Sequence, residues 1–166
     1  MRNLVLTGLP GSGKSRLGKM LAEKLQVDFY DSDILVEQQS GRSIGDLFAE
    51  NETCFRTWET GVLQELALLQ GAVIATGGGA VLKAENMAAL KKKGAVVFLD
   101  RNPERIRKDL PEDGQRPLLA GNGDRIYELY RERLPLYEKY ADYIVPDGEW
   151  QEMFGQLLAI GKEIWQ

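Results

Sequence analysis

The segment "GLPGSGKS", residues 8–15, constrains this chain more than any other. It follows the apolar run "NLVLT" and precedes a helical pattern, so it reads as a strand-to-helix connection. It satisfies G-x-x-x-x-G-K-[ST] in full, from Gly8 through Gly13, Lys14 and Ser15, in the context that this pattern requires. A plain tight turn needs one or two such residues. A loop that cradles phosphate needs more, because its backbone N–H groups must turn inward and reach the oxygens with no side chain in the way. In that reading Gly11, Ser12 and Gly13 belong to the cradle, Lys14 meets the β- and γ-phosphates, and the Ser15 hydroxyl reaches Mg²⁺. The helix starting near Lys14 adds its positive N-terminal end.

The rest of the chain supplies a matching frame. "NLVLTG", "AVIATG" (72–77), "AVVFLD" (95–100) and "YIVP" (143–146) read as short buried strands rich in Val and Ile. Helical stripes lie between them: Leu17, Met20, Leu21 and Leu25 after the glycine loop, and Phe55, Val62, Leu66 and Leu69 further on. Ser43 starts a short helix, with Asp46 in a capping-box-like place. Such alternation predicts an α/β fold, a parallel sheet covered on both faces. With 166 residues and no linker-like stretch, one domain over 1–166 is expected. The long polar stretch "DLPEDGQRPLLAGNGD" (109–124) is either a surface loop or a moving lid.

Composition removes several classes of chemistry. Histidine is absent and Cys54 is the only cysteine, so His-dependent nucleophiles, multi-thiolate metal sites and internal disulfides are excluded. A net charge of −4 and the lack of a basic stripe argue against nucleic acid. The first apolar run is too short for a signal peptide or a membrane span, so a cytoplasmic protein without membrane contact is expected.

Four further stretches carry candidate chemistry. In "YDSDILVE" (30–37), Asp31 and Asp33 would share one side if extended, and paired carboxylates beside a triphosphate can hold Mg²⁺ or take a proton. The plainer explanation is a helix N-cap. "FRTWE" (55–59) sets Arg56 and Glu59 three apart on a helix, either a surface ion pair or a carboxylate-binding arginine held by a glutamate. "TGGGA" (76–80), with Gly77, Gly78 and Gly79, ends a strand where ligands of open α/β sheets bind. Arg116 in "RPLL" and Arg133 near Pro135 are either solvated charges or ligand contacts. Cys54, Trp58 and Trp165 read as packing residues.

Taken together, "FYDSD", "FRTWE", "ATGGGAV", "QRPLL" and "RLPLYEKYAD" resemble, in that order, the shikimate kinase family. The resemblance runs from about Leu4 to Asp142. It implies a P-loop kinase fold: a three-layer α/β sandwich with a five-stranded parallel sheet in order 2-3-1-4-5 and a lid. It implies ATP-dependent phosphorylation of the 3-hydroxyl of shikimate by a monomer with Mg²⁺ as cofactor. By position, Lys14, Ser15 and Asp31 would handle phosphates and metal, and Asp33 would hold the shikimate hydroxyls. Arg56, Gly78 and Arg133 would bind the substrate, with Glu59 orienting Arg56 and Gly77 and Gly79 in the same turn. Lys14, Asp33 and Arg116 would be the catalytic set, Arg116 closing over the phosphates. Arg16 and Arg107 would lie on the nucleotide. Some positions depart from the family pattern: Pro10, Arg16, Met87, a shortened interval from Asp33 to Arg56, and a longer lid. A gluconate kinase, the nearest alternative, typically carries a histidine after the aspartate pair, and this chain has none. A homologue that binds ATP without turnover would lack part of the substrate set, and every member is present.

Overall fold

The computed structural model describes residues 1–110 and 123–166. Arg116 and most of the expected lid therefore lie outside the described residues.

Five strands form one parallel sheet: β1 Asn3–Thr7, β2 Phe29–Asp31, β3 Val73–Ala75, β4 Gly94–Asp100 and β5 Tyr143–Pro146. Their order is β2-β3-β1-β4-β5, the order that the resemblance implies. The register pairs Val5 with Ile74 on one side and with Val96 on the other. The helices are α1 Lys14–Leu25, α2 Ser32–Ser40, α3 Ile44–Glu50, α4 Glu52–Leu66, α5 Ala84–Lys93, α6 Pro103–Asp109, α7 Arg125–Tyr140 and α8 Trp150–Ile164. None of them is long and apolar enough to cross a membrane.

Strand periodicity explains the three layers. Leu4 and Leu6 of β1 pack with Leu17 and Leu21 of α1 and with Met153 and Leu157 of α8. Val5, between them, joins Ile74, Val96 and Phe98 in a second cluster with Leu63, Leu90, Leu129 and Tyr137 from α4, α5 and α7. Successive side chains leave opposite faces of a strand, so an unbroken apolar run is what a sheet buried on both sides demands. Because all strands run the same way, the connections after β1, β2, β3 and β4 gather at one edge, where ligands of such sheets bind.

Local capping sets the starts of α3 and α4. Ser43 accepts from the Asp46 N–H at 3.1 Å, and Asn51 accepts from the Cys54 N–H at 2.6 Å. Two expectations need correction. Met20 is 41% exposed at the margin of the α1 stripe, and Trp58 is 38% exposed, so neither is a core residue. Asp31 and Asp33 are not both extended: β2 stops at Asp31, whose side chain caps α2 through the Asp33 and Ile34 N–H groups. Asp33 thus stands in the first turn of a helix.

Candidate active site

The gathered connections enclose a cleft of about 660 Å³. One end is the loop between β1 and α1. Gly13 adopts φ 97°, a left-handed conformation that glycine accepts readily. A β-carbon there would meet the Trp150 ring at 2.4 Å. The Lys14 ammonium donates to the carbonyls of Gly8 at 2.7 Å and Leu9 at 2.8 Å. The Ser15 hydroxyl donates to Asp31, so the first turn of α1 and the end of β2 meet through a hydroxyl and a carboxylate.

Arg101, just past β4, donates to the Gly11 carbonyl at 3.0 Å and pairs with Asp109. Its guanidinium lies 4.1 Å from the centre of the Trp150 ring, and that of Arg16 lies 4.6 Å from it. Such cation–π stacking adds order to side chains that would otherwise sample many rotamers.

The opposite end is assembled from α2, α4, α7 and the turn after β3. Arg56 donates to Glu59 at 2.9 Å and to Glu52 at 3.2 Å, with its guanidinium against Phe48 and Phe55. The Arg56–Glu59 pair is buried, so it is not the surface pair that spacing alone would suggest. The three glycines of the turn have three different neighbours. A β-carbon on Gly77 would lie 2.6 Å from Glu59 Oε2 and 2.9 Å from Asp33 Oδ1. One on Gly78 would lie 2.7 Å from Pro10, and one on Gly79 only 2.2 Å from Arg56 Nη1. Close approach therefore requires all three.

Charge is unevenly settled at this end. Burial, reinforced by the Asp31 and Glu59 carboxylates, raises the Asp33 pKa to about 7 against the pull of Lys14 and Arg56. Burial also raises Glu59, with Arg56 opposing. Four buried polar atoms here lack a hydrogen-bond partner among the described residues: Asp33 Oδ1, Arg56 Nε, Glu59 Oε2 and Arg133 Nη1. Buried polar atoms are normally paired, so this cluster is suited to a polar ligand.

Most sequence-derived candidates meet in this one cleft. Gly11, Gly13, Lys14, Ser15 and Arg16 line it from the loop, and Asp31 and Asp33 from the β2–α2 junction. Arg56, Glu59, the three glycines and Arg133 line its other end. Ser12 is fully buried and does not line it. Arg107 is turned to Asp124 at 3.1 Å and is not in the lining either. Arg101, Phe48 and Trp150 line the cleft without having been singled out from the sequence. Arg101 follows a strand end and could have been flagged by that position, whereas Trp150 carries no local signal.

A parallel sheet with a phosphate loop after its central strand, facing buried arginines across one cleft, defines a P-loop phosphotransferase acting on a small molecule. A family model described as shikimate kinase matches residues 10–160. A shikimate kinase of Clostridium botulinum (strain Eklund 17B / Type B) is 39% identical over 162 residues, covering 96% of this chain and 98% of that protein. One from Neisseria meningitidis serogroup C is 41% identical over 158 residues, covering 93% of each. The solved structure of the Acinetobacter baumannii shikimate kinase in complex with shikimate matches with a TM-score of 0.88 at 36% identity, covering 100% of this chain and 92% of that one. The chain belongs to the shikimate kinase family.

Proposed function

We propose that this chain transfers the γ-phosphoryl group of ATP to the 3-hydroxyl of shikimate, giving shikimate 3-phosphate and ADP. The observation that carries the reading is the pairing of a complete phosphate loop with two buried arginines, Arg56 and Arg133, each keeping a nitrogen without a partner. A planar carboxylate matches a guanidinium fork, so these arginines would take the acid group of the substrate. Glu59 would hold Arg56, and Gly77, Gly78 and Gly79 would let the ring approach the backbone.

Asp33 stands between the two ends, under the influence of both Lys14 and Arg56. A carboxylate with a pKa of about 7 is well matched to accept a proton from an attacking hydroxyl near neutral pH. Lys14 would leave the loop carbonyls for the phosphates and carry positive charge toward the transferring group. Gly11, Ser12 and Gly13 would contribute backbone donors, and Arg16, Arg107 and Arg116 would act on the nucleotide side.

Ser15 and Asp31 fit Mg²⁺. Their donors are hard oxygens that already touch, and no group of three or more carboxylate, thiol or imidazole ligands occurs among the described residues. Mg²⁺ commonly uses one or two protein carboxylates and takes its remaining ligands from water and phosphate. When bound, it would neutralise charge on the β- and γ-phosphates.

The test is ADP release with ATP, Mg²⁺ and a panel of hydroxy acids. Turnover with shikimate, little with gluconate, and poor turnover of the shikimate amide are expected. Equal use of the amide and the acid would show that the arginines serve another group.

A further inference from the structure

Tyr137 lies on α7 one helical turn after Arg133, and its hydroxyl donates to the Gly78 carbonyl at 2.6 Å. Its ring is buried and stacks on Phe98 of β4, with ring centres 4.9 Å apart. Burial raises the phenol to about 12, so it remains a donor at any ordinary assay pH. A β-carbon on Gly78 would lie 2.7 Å from Pro10 of the phosphate loop, so the turn runs close against that loop. A β-carbon on the flanking Gly77 would meet Glu59 and Asp33, and one on Gly79 would meet Arg56. Tyr137 thus reaches the glycine turn by a hydrogen bond from the helix that carries Arg133.

A peptide unit is planar and trans, with its N–H directed opposite to its C=O. Fixing the Gly78 carbonyl toward α7 therefore fixes the Gly79 N–H away from it. We propose that Tyr137 is a positioning residue for the acceptor: its hydroxyl holds the glycine turn in register with Arg133, so that backbone donor and guanidinium meet the substrate together. This rests on the shikimate reading above. Without the hydroxyl, the turn keeps its close contacts but loses the bond that fixes its rotation relative to α7.

Tyr137→Phe keeps the ring and removes one oxygen. The expected result is a rise of about five- to tenfold in the KM for shikimate, the loss of one well-made hydrogen bond, with the KM for ATP within about twofold of wild type. Phe98→Leu removes the stacked ring but keeps the hydroxyl; it should lower Tm and leave the KM for shikimate nearly unchanged. An unaltered KM for shikimate in Tyr137→Phe overturns the proposal. So does a parallel rise in both KM values, or an equal rise in Phe98→Leu, since each would make Tyr137 a packing residue only. A wild-type protein that does not phosphorylate shikimate at all would instead overturn the reading on which this rests.

Discussion

At the nucleotide end of the cleft, Lys14 donates to Gly8 and Leu9, Ser15 to Asp31, and Arg101 to Gly11. At the acceptor end, Asp33, Arg56, Glu59 and Arg133 each keep one buried polar atom without a partner. The loop is folded by contacts that it makes largely with itself and its neighbours. The acceptor end is held by the fold with some of its hydrogen-bonding capacity open. Under the proposed function, ligand binding would break contacts at one end and complete them at the other. An exception lies within the loop: Ser12 Oγ is also buried without a partner, though Ser12 does not line the cleft.

The largest expected effect comes from removing the cation that must change partners. Lys14→Ala should lower kcat by about two to three powers of ten, the size seen when one preorganised charge-stabilising donor is lost. Its Tm should fall by several degrees at most, because the buried carbonyls of Gly8 and Leu9 lose their donor while the rest of the fold keeps its contacts. A kcat within tenfold of wild type would break the contrast between the two ends, since the loop would then be a structural turn.

The acceptor end should respond in binding instead. Gly79→Ala places a β-carbon where the Arg56 guanidinium now lies, and Arg56→Lys keeps the charge but loses the planar fork. Each should raise the KM for shikimate by about ten- to a hundredfold, at roughly 1.5–3 kcal/mol for a charge-assisted contact, and disturb the KM for ATP much less. Measuring both KM values in each variant sharpens the comparison. Equal losses for both substrates would mean that the two ends are not separable.

How far each end could be read from sequence follows from how it is built. The phosphate loop is eight consecutive residues whose glycine spacing states its purpose, and the strands before and after it are short Val- and Ile-rich runs. Arg56 and Arg133 belong to helices distant in sequence, so spacing alone could not join them; the resemblance did, as it also supplied the strand order. For Asp31 and Asp33 the sequence leaves an extended pair and a helix N-cap both open; the structure takes the N-cap, because the Asp31 carboxylate that ends the strand also receives the first N–H groups of α2. Arg101 and Trp150 escaped notice because their partners, Gly11, Asp109 and Gly13, are supplied by folding alone. Tyr137 stood in a recognised motif, but only the path of α7 past the glycine turn gives its hydroxyl a target.

The smallest effect is on stability, and it tests whether the open acceptor end carries an energetic cost. Asp33 has a folded-state pKa of about 7, against 3.8 for the ordinary side chain. Between these values the folded chain binds more protons than the unfolded chain, so the contribution of Asp33 to stability is fully present below about pH 4 and is lost as pH rises through 7. Asp33→Asn removes the group that must ionise in a buried place. The variant should therefore gain Tm relative to wild type at pH 8, by several degrees at most, and gain little at pH 4. Glu59 is also raised by burial and faces Asp33, so Asp33→Asn removes a like-charge neighbour from Glu59 as well, and this relief adds to the gain at pH 8. The same substitution should lower kcat with shikimate while leaving ATP binding nearly intact, because it removes the proposed proton acceptor. In the wild type, kcat/KM should rise with pH up to about 7 as Asp33 becomes ionised. Thermal melts of the two proteins at pH 4 and pH 8 decide the stability question. A Tm difference that is the same at both pH values would show that Asp33 ionises without penalty in the fold, and the acceptor end would then be no more strained than the phosphate loop.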